Sequence, residues 1–113
     1  MKIVKKVQRK LLKNSRECDA FEYGLGCDSL GGVVVEVRGR HPEKGRVVNL
    51  ECEEMAYILE GKGKISVDGV EHGFAAGDII LIGRGERYFW DGKFSAFLSS
   101  APAWTVRQCN AVD

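Results

Sequence analysis

The chain has 113 residues, a length that fits one domain and excludes two domains with cores of ordinary size. Hydrophobic residues make up 44% and charged residues 29%, which excludes a disordered chain. The formal net charge is only +1, so the chain has no strong field to attract nucleic acid or an anionic membrane, and neither is expected as a partner.

No run of about eighteen apolar residues is present, and no uninterrupted apolar segment follows the basic N-terminus, so neither a membrane span nor a secretory signal is predicted. The four cysteines, Cys18, Cys27, Cys52 and Cys109, form no Cys-x-x-Cys pair and no Cys/His metal spacing. We therefore expect reduced structural thiols in a cytoplasmic protein.

The first 31 residues are predicted to form an N-terminal arm and a turn-rich lead-in to the main domain. Residues 1–14 place apolar and basic side chains at offsets near three and four, a pattern that fits either one amphipathic helix or an edge strand with a helical turn. Residues 14–17 are polar and predict a loop, and glycines at positions 24, 26, 31 and 32 indicate further turns. The basic residues before Glu17 are interpreted as a solvated surface.

Residues 32–113 are predicted to form an all-β barrel, because short β-branched and aromatic runs alternate with closely spaced turn residues. Strands are predicted at residues 33–38, 46–52, 55–59, 63–67, 70–74, 79–82, 87–90 and 94–99. Asp68-Gly69 and Asp91-Gly92 have the composition of two-residue hairpin turns. Residues 105–113 are predicted to be a short tail.

Two motifs in this region resemble those of small single-domain cupins of the conserved β-barrel type. Glu54 followed by Gly61 matches the Glu-x6-Gly half of the first cupin motif, and Gly77, Gly85 and Tyr88 match positions of the second. The resemblance covers about residues 32–107. It implies an all-β double-stranded β-helix, the cupin jelly-roll barrel, with residues 1–31 as an added arm.

The departures from the cupin pattern fall on the metal ligands. The two histidine positions of the first motif hold Val48 and Leu50, or Val47 and Asn49 in the longer spacing, and Tyr88 occupies the histidine position of the second. Of the four usual ligands, only the carboxylate of Glu54 remains. A carboxylate beside an amide and a phenol is a poor transition-metal site, so no metal and no other cofactor is predicted.

The two histidines of the chain lie away from these motif positions. His41 precedes Pro42 in a predicted loop, and His72 lies beside Gly73 near a predicted turn. Both are expected to be solvated loop residues.

A ligand pocket is predicted from strand alternation. Either Asn49 or Leu50 points into the barrel, and the register with Asn49 inside is favoured because its amide could bond Glu54 or a ligand. Tyr88 and Trp90 share one face of their strand. Asn49, Glu54, Tyr88 and Trp90 would then form a ligand-binding pocket suited to a sugar or sugar acid. Alternatively, the two aromatic rings simply fill the barrel.

Three functions remain open on the sequence. The first is metal-independent binding of a small polar metabolite. The second is a metal-independent sugar isomerase, epimerase or lyase, with Glu54 as general base and Tyr88 as general acid. The third is a structural dimer without a ligand. A homodimer is expected in any case, because apolar residues near the chain ends would otherwise leave an open sheet edge: Phe21, Tyr23, Trp104 and Val106.

Overall fold

The structure, a computed structural model, describes residues 1–113 and consists almost entirely of β-strands. Nine strands follow one another along the chain: β1 (Lys10–Ser15), β2 (Cys18–Glu22), β3 (Gly31–His41), β4 (Arg46–Asn49), β5 (Glu53–Val67), β6 (Val70–Ala75), β7 (Ile79–Ile82), β8 (Arg87–Ala101) and β9 (Cys109–Val112). The only helical segments are two 3₁₀ turns, Lys6–Gln8 and Val106–Gln108. No helix is both long and apolar enough to cross a lipid bilayer.

The strands form one curled antiparallel sheet in which β5 and β8 are the central pair. Strands β1, β2, β3, β8, β4 and β9 are neighbours in that order, and β5 pairs with β6, β7 and β8. The ladder between β5 and β8 runs from Glu53–Ala101 to Val67–Tyr88, nearly the full length of both strands. The predicted all-β fold, with the sheet curled into a barrel, is therefore confirmed.

Two long strands replace four short predicted ones. Residues 55–59 and 63–67 belong to the single strand β5, and residues 87–90 and 94–99 belong to β8. Asp91-Gly92 was therefore wrongly predicted as a hairpin turn, because it pairs with Lys64 and Gly63 within the ladder. Asp68-Gly69 does form the predicted turn, between β5 and β6.

Gly61 marks a bend in β5 that keeps the strand continuous. Its φ is +83°, and a Cβ atom placed there would collide with the carbonyl oxygen of Lys93 on β8. A register shift lies just before it, between Ile58 and Glu60. A glycine in this left-handed conformation lets the strand bulge and curl around the barrel instead of ending.

The chain termini contain more regular structure than predicted. At the N-terminus the strand alternative is present, since a 3₁₀ turn leads into β1, and β1 and β2 form a hairpin that extends the sheet from β3. Regular structure thus begins well before Gly32. At the C-terminus, β9 pairs with β4, so residues 105–113 are not a tail. Strand β4 itself ends at Asn49, earlier than predicted.

The core consists of inward-facing side chains from β2, β3, β5, β6, β7 and β8. On β5 the alternation buries Glu54, Ala56 and Ile58 and exposes the residues between them. An aromatic cluster closes one end of the core, where Trp90 lies edge-on to Phe74 with ring centroids 5.7 Å apart. The same alternation that builds the core also turns Glu54 inward.

Candidate functional site

The barrel contains a cavity of about 390 Å³. Its walls come from the inward faces of β2, β3 and β8, including Val35, Trp90 and Leu98. Residues 23–25, 103, 104 and 106 also line it. Most lining side chains are apolar, and none is Lys or Arg. The polar groups are few, which is the composition of a site that binds a small ligand and orients it through specific contacts.

Glu54 supplies the only deeply buried carboxyl group of this cavity. Its side chain is 8% exposed, and Oε1 accepts hydrogen bonds from Asn49 Nδ2 (2.5 Å) and from the Tyr88 hydroxyl (3.2 Å). Oε2 has no hydrogen-bond partner in the protein. Every fully buried side-chain nitrogen or oxygen in the molecule has such a partner, so Oε2 is not fully buried. Oε2 therefore retains access to the cavity.

Asn49 is held from behind by Gln108. Gln108 Nε2 donates to Asn49 Oδ1 over 3.0 Å, and Gln108 Oε1 accepts from the backbone N–H groups of Glu51 and Cys52. Asn49 and Gln108 are 0% and 2% exposed, and neither lines the cavity. The favoured inward register of Asn49 is observed, but the residue lies behind the cavity wall and supports Glu54 instead of facing a ligand.

Burial shifts the ionisation of both groups at the centre of the site. Desolvation raises the pKa of Glu54, and the hydrogen bonds from Asn49 and Tyr88 oppose this only in part. Desolvation also raises the pKa of Tyr88 well above its ordinary value, and the nearby Glu54 adds to the effect. No cation lies close enough to reverse these shifts, so the site favours neutral forms.

His41 lines the same cavity, which corrects the expectation of a solvated loop histidine. It is the last residue of β3 and pairs with Trp90 on β8. Its Nδ1 lies 2.8 Å from Ser15 Oγ, and desolvation lowers the pKa of the ring. His72 is exposed as expected, but it lies within strand β6, where it pairs with Ile65, and not in a loop. Strand alternation in β3 could have predicted this position, because His41 continues the inward-facing series of Val33, Val35 and Val37.

Three of the four thiols also line the cavity, and all four are unpaired. Cys18 is buried, and desolvation raises its pKa to about 11. Cys109 follows Gln108, and both desolvation and the nearby Glu54 raise its pKa. Cys27 differs because it is exposed at the rim and the hydrogen bond with Ser29 lowers its pKa.

Trp90 both packs in the core and borders the cavity. It is 6% exposed and contacts the rings of Phe74, Tyr88 and Phe94. Trp90 is thus a core residue that also forms part of the cavity wall. Tyr88 and Trp90 therefore both fill the core and line the cavity, so the two interpretations of these residues are compatible.

The residues around Glu54 do not fit a metal ion. No group of three or more His, Cys, Asp or Glu side chains comes together anywhere in the molecule. Glu54 Oε1 instead receives an amide N–H and a phenol O–H, which point positive hydrogen atoms at the place a cation would occupy.

The sequence of residues 31–98 matches the EutQ-like cupin domain. The chain belongs to this cupin family. None of the curated proteins matches this cupin by sequence.

Solved structures of other cupins resemble this cupin over nearly its whole length. Pac13 from Streptomyces, a nucleoside dehydratase, superimposes with a TM-score of 0.90 at 20% identity, covering 99% of this chain and 91% of Pac13. Pac13 variants are also known in complex with uridine. KdgF from a Halomonas species gives a TM-score of 0.72 at 11% identity, covering 89% of this chain and 94% of KdgF. The polyketide cyclase RemF from Streptomyces resistomycificus gives 0.69 at 23%, covering 90% and 79%. At these identities the likeness establishes the fold.

Proposed function

We propose that this cupin binds a small, uncharged polar metabolite with a ring face, such as a nucleoside or a neutral sugar, in the barrel cavity. The observation that carries the proposal is the charge of the cavity wall, which contains two glutamates, Glu22 and Glu54, and no Lys or Arg. An anionic ligand such as a sugar acid or a phosphate ester would be desolvated there without a cationic partner. A neutral ligand meets apolar walls, the edge of Trp90 and the free oxygen of Glu54.

The size of the cavity and the neighbouring structures agree with this ligand class. A volume of about 390 Å³ lies within the range of small-molecule sites. Pac13, which shares the fold, is known in complex with uridine, a neutral ring-bearing metabolite. We therefore take uridine as the first probe.

Matched pairs of ligands test the proposal. Isothermal titration of the protein with uridine and with uridine 5′-monophosphate, and with glucose and glucuronic acid, compares neutral and anionic members of two ligand classes. We expect binding of at least one neutral member and none of its anionic counterpart, and weaker binding in Glu54→Gln but not in the exposed control Glu60→Gln. Tighter binding of the anionic members would overturn the assignment.

A second candidate function is dehydration or another elimination, favoured by the two titratable groups that face one cavity. Burial raises the pKa of Glu54, which favours the protonated acid as a proton donor, and lowers that of His41, which favours the neutral imidazole as a proton acceptor. In an elimination, one group removes a proton from carbon and the other protonates the departing hydroxyl, which leaves an alkene and water. Tyr88 is less suited to be the acid, because its hydroxyl already donates to Glu54.

Mass spectrometry of candidate sugars and nucleosides incubated with the protein tests this second function. We expect loss of one water from a turned-over compound, and loss of turnover in both Glu54→Gln and His41→Gln. Binding without any change in mass, across neutral sugars and nucleosides and their carbonyl derivatives, would leave the protein a binding module.

We also propose a homodimer, formed through the outer face of the sheet. An outer apolar patch lies where β7, β5 and β8 are adjacent, and its residues are between 42% and 68% exposed: Met55, Tyr57, Ile79, Leu81 and Phe97. The chain-end residues expected at this interface are elsewhere, since Tyr23, Trp104 and Val106 line the cavity and Phe21 lies under the Arg9 guanidinium.

The area of the outer apolar patch suits a second copy of the chain. Five side chains of roughly 150–200 Å² each, about half exposed, give on the order of 400–500 Å² of apolar surface. A standard interface of about 800 Å² per partner contains roughly that much apolar area, and a two-fold dimer needs only one such patch.

Sedimentation velocity at micromolar concentration should show a dimer that Leu81→Lys dissociates and the hairpin control Val70→Lys does not. A monomeric wild-type protein would contradict the proposal.

A further inference from the structure

The hydrogen bonds behind Glu54 form a chain whose direction is fixed at one end. Gln108 Oε1 accepts from the backbone N–H groups of Glu51 (3.1 Å) and Cys52 (3.3 Å). Backbone N–H groups can only donate, so the oxygen of the Gln108 amide must face them and its NH₂ group must face the other way. At 2% exposure the Gln108 side chain has no solvent to compete with these partners.

Each following link then has only one possible direction. The Gln108 NH₂ group donates to Asn49 Oδ1 (3.0 Å), which leaves the Asn49 NH₂ group facing Glu54 Oε1 and the Tyr88 hydroxyl oxygen (3.3 Å). Since the Tyr88 oxygen accepts from Asn49, its own proton is directed to Glu54 Oε1 (3.2 Å). Oε1 thus receives two donors.

We propose that Gln108 is a positioning residue that sets the hydrogen-bond direction of this chain, so that Glu54 offers only Oε2 to a ligand and always in the same orientation. The inference rests on the proposed function in one respect, namely that a ligand in the cavity meets Glu54. Gln108 does not line the cavity and does not touch the ligand space, so it acts only through Asn49. The ligand group that matches Oε2 is a hydroxyl or an imide, which can donate to a carboxylate and accept from a carboxylic acid.

No charged group competes with this arrangement. The titratable groups that face Glu54 are Tyr88 on β8 and the thiols of Cys52 and Cys109, while His41 borders the same cavity from β3. None is a permanent cation. The orientation of Glu54 therefore depends on the directions of these hydrogen bonds. Only the Gln108 amide is fixed in direction, because its oxygen accepts from backbone N–H groups.

The test is the titration of Glu54 in the ligand-free protein, followed by the ¹³C signal of its carboxyl carbon. Gln108→Met keeps a similar volume but removes both amide functions, so Asn49 becomes free to turn its oxygen toward Glu54. We expect the Glu54 midpoint to move to higher pH by about one unit, the size expected when a hydrogen bond to the charged form is lost. Asn110→Met, an exposed neighbour on β9, should leave the midpoint unchanged.

An unchanged midpoint in a folded Gln108→Met protein with a lowered melting temperature would overturn the proposal, because Gln108 would then only anchor the backbone. If this variant does not fold, the wild-type protein still decides. Nuclear Overhauser contacts between the Asn49 NH₂ protons and the Tyr88 ring support the stated direction, and their absence overturns it. Neither measurement needs a ligand, so failure of uridine binding would affect the proposed function and leave this inference intact.

Discussion

Replacing Glu54 with Gln should stabilise the protein at neutral and alkaline pH and have no stabilising effect in acid. Glutamine keeps an oxygen to accept from Asn49 and Tyr88, and it removes a carboxyl that burial holds at a raised pKa. A carboxyl whose pKa is raised above the ordinary 4.5 binds its proton more tightly in the folded chain. Its stabilising contribution is complete below the unfolded pKa and is lost as pH rises through the folded pKa.

The magnitude follows from the size of that shift. Each pH unit by which the folded pKa exceeds the unfolded one corresponds to about 1.4 kcal/mol at high pH. For a domain of this length, 1 kcal/mol changes the melting temperature by roughly 4 °C. The Glu54→Gln protein should thus melt several degrees above the wild type at pH 8, and the difference should disappear by pH 4.

Differential scanning calorimetry across this pH range, with Glu60→Gln as the exposed control, measures the effect. Two forces oppose each other at Glu54, since desolvation disfavours the carboxylate and the Asn49 and Tyr88 donors favour it. A Glu54→Gln protein that is less stable than the wild type at pH 8 and equal to it at pH 4 would mean that the hydrogen bonds from Asn49 and Tyr88 stabilise the carboxylate by more than desolvation destabilises it. The reasoning about the neutral site would then be refuted.

Three further outcomes are expected. Gly61→Ala should lower the free energy of unfolding by more than about 2 kcal/mol in urea denaturation, because the left-handed backbone and the contact with Lys93 exclude a Cβ; a near-neutral change would contradict the bulge geometry. Ile58→Ala should cost about 2–5 kcal/mol in the same assay, since Ile58 is 0% exposed. Iodoacetamide at pH 8 should modify Cys27 well before Cys52, whose burial raises its pKa to about 11, and equal rates by mass spectrometry would contradict these environments.

The fold could be predicted because its signals are local and repeated. Alternation in β5 and β8, the Asp68-Gly69 turn and the Glu54–Gly61 spacing all lie within a few residues of one another. The errors came from the same local signals. Asp91-Gly92 has turn composition, but a long-range ladder with β5 overrides it, and local composition cannot report such pairing.

The site could be predicted only where a motif or strand alternation includes its residues. The cupin-like motif pointed to Glu54, and alternation placed Tyr88 and Trp90 on one face of their strand; all three are buried in the structure. Gln108 could not be found this way, because it lies in a 3₁₀ turn before a short strand in a segment with no periodic pattern. Its role depends on a contact with Asn49, 59 residues away in the sequence, that exists only after β9 pairs with β4.

Burial in a cavity without a cationic side chain favours the neutral forms of its titratable groups. A cupin carboxylate that faces a cation is held ionised, whereas Glu54 faces an amide, a phenol and thiols that would add only negative charge on ionising. Without a cation beside it, burial favours the protonated acid at Glu54, and the lowered pKa of His41 favours a neutral imidazole across the same cavity. Because both shifts favour neutral groups and no Lys or Arg lines the cavity, an uncharged ligand costs the least desolvation, whereas a sugar acid, although compatible with the sequence alone, would bring in a charge that nothing there balances.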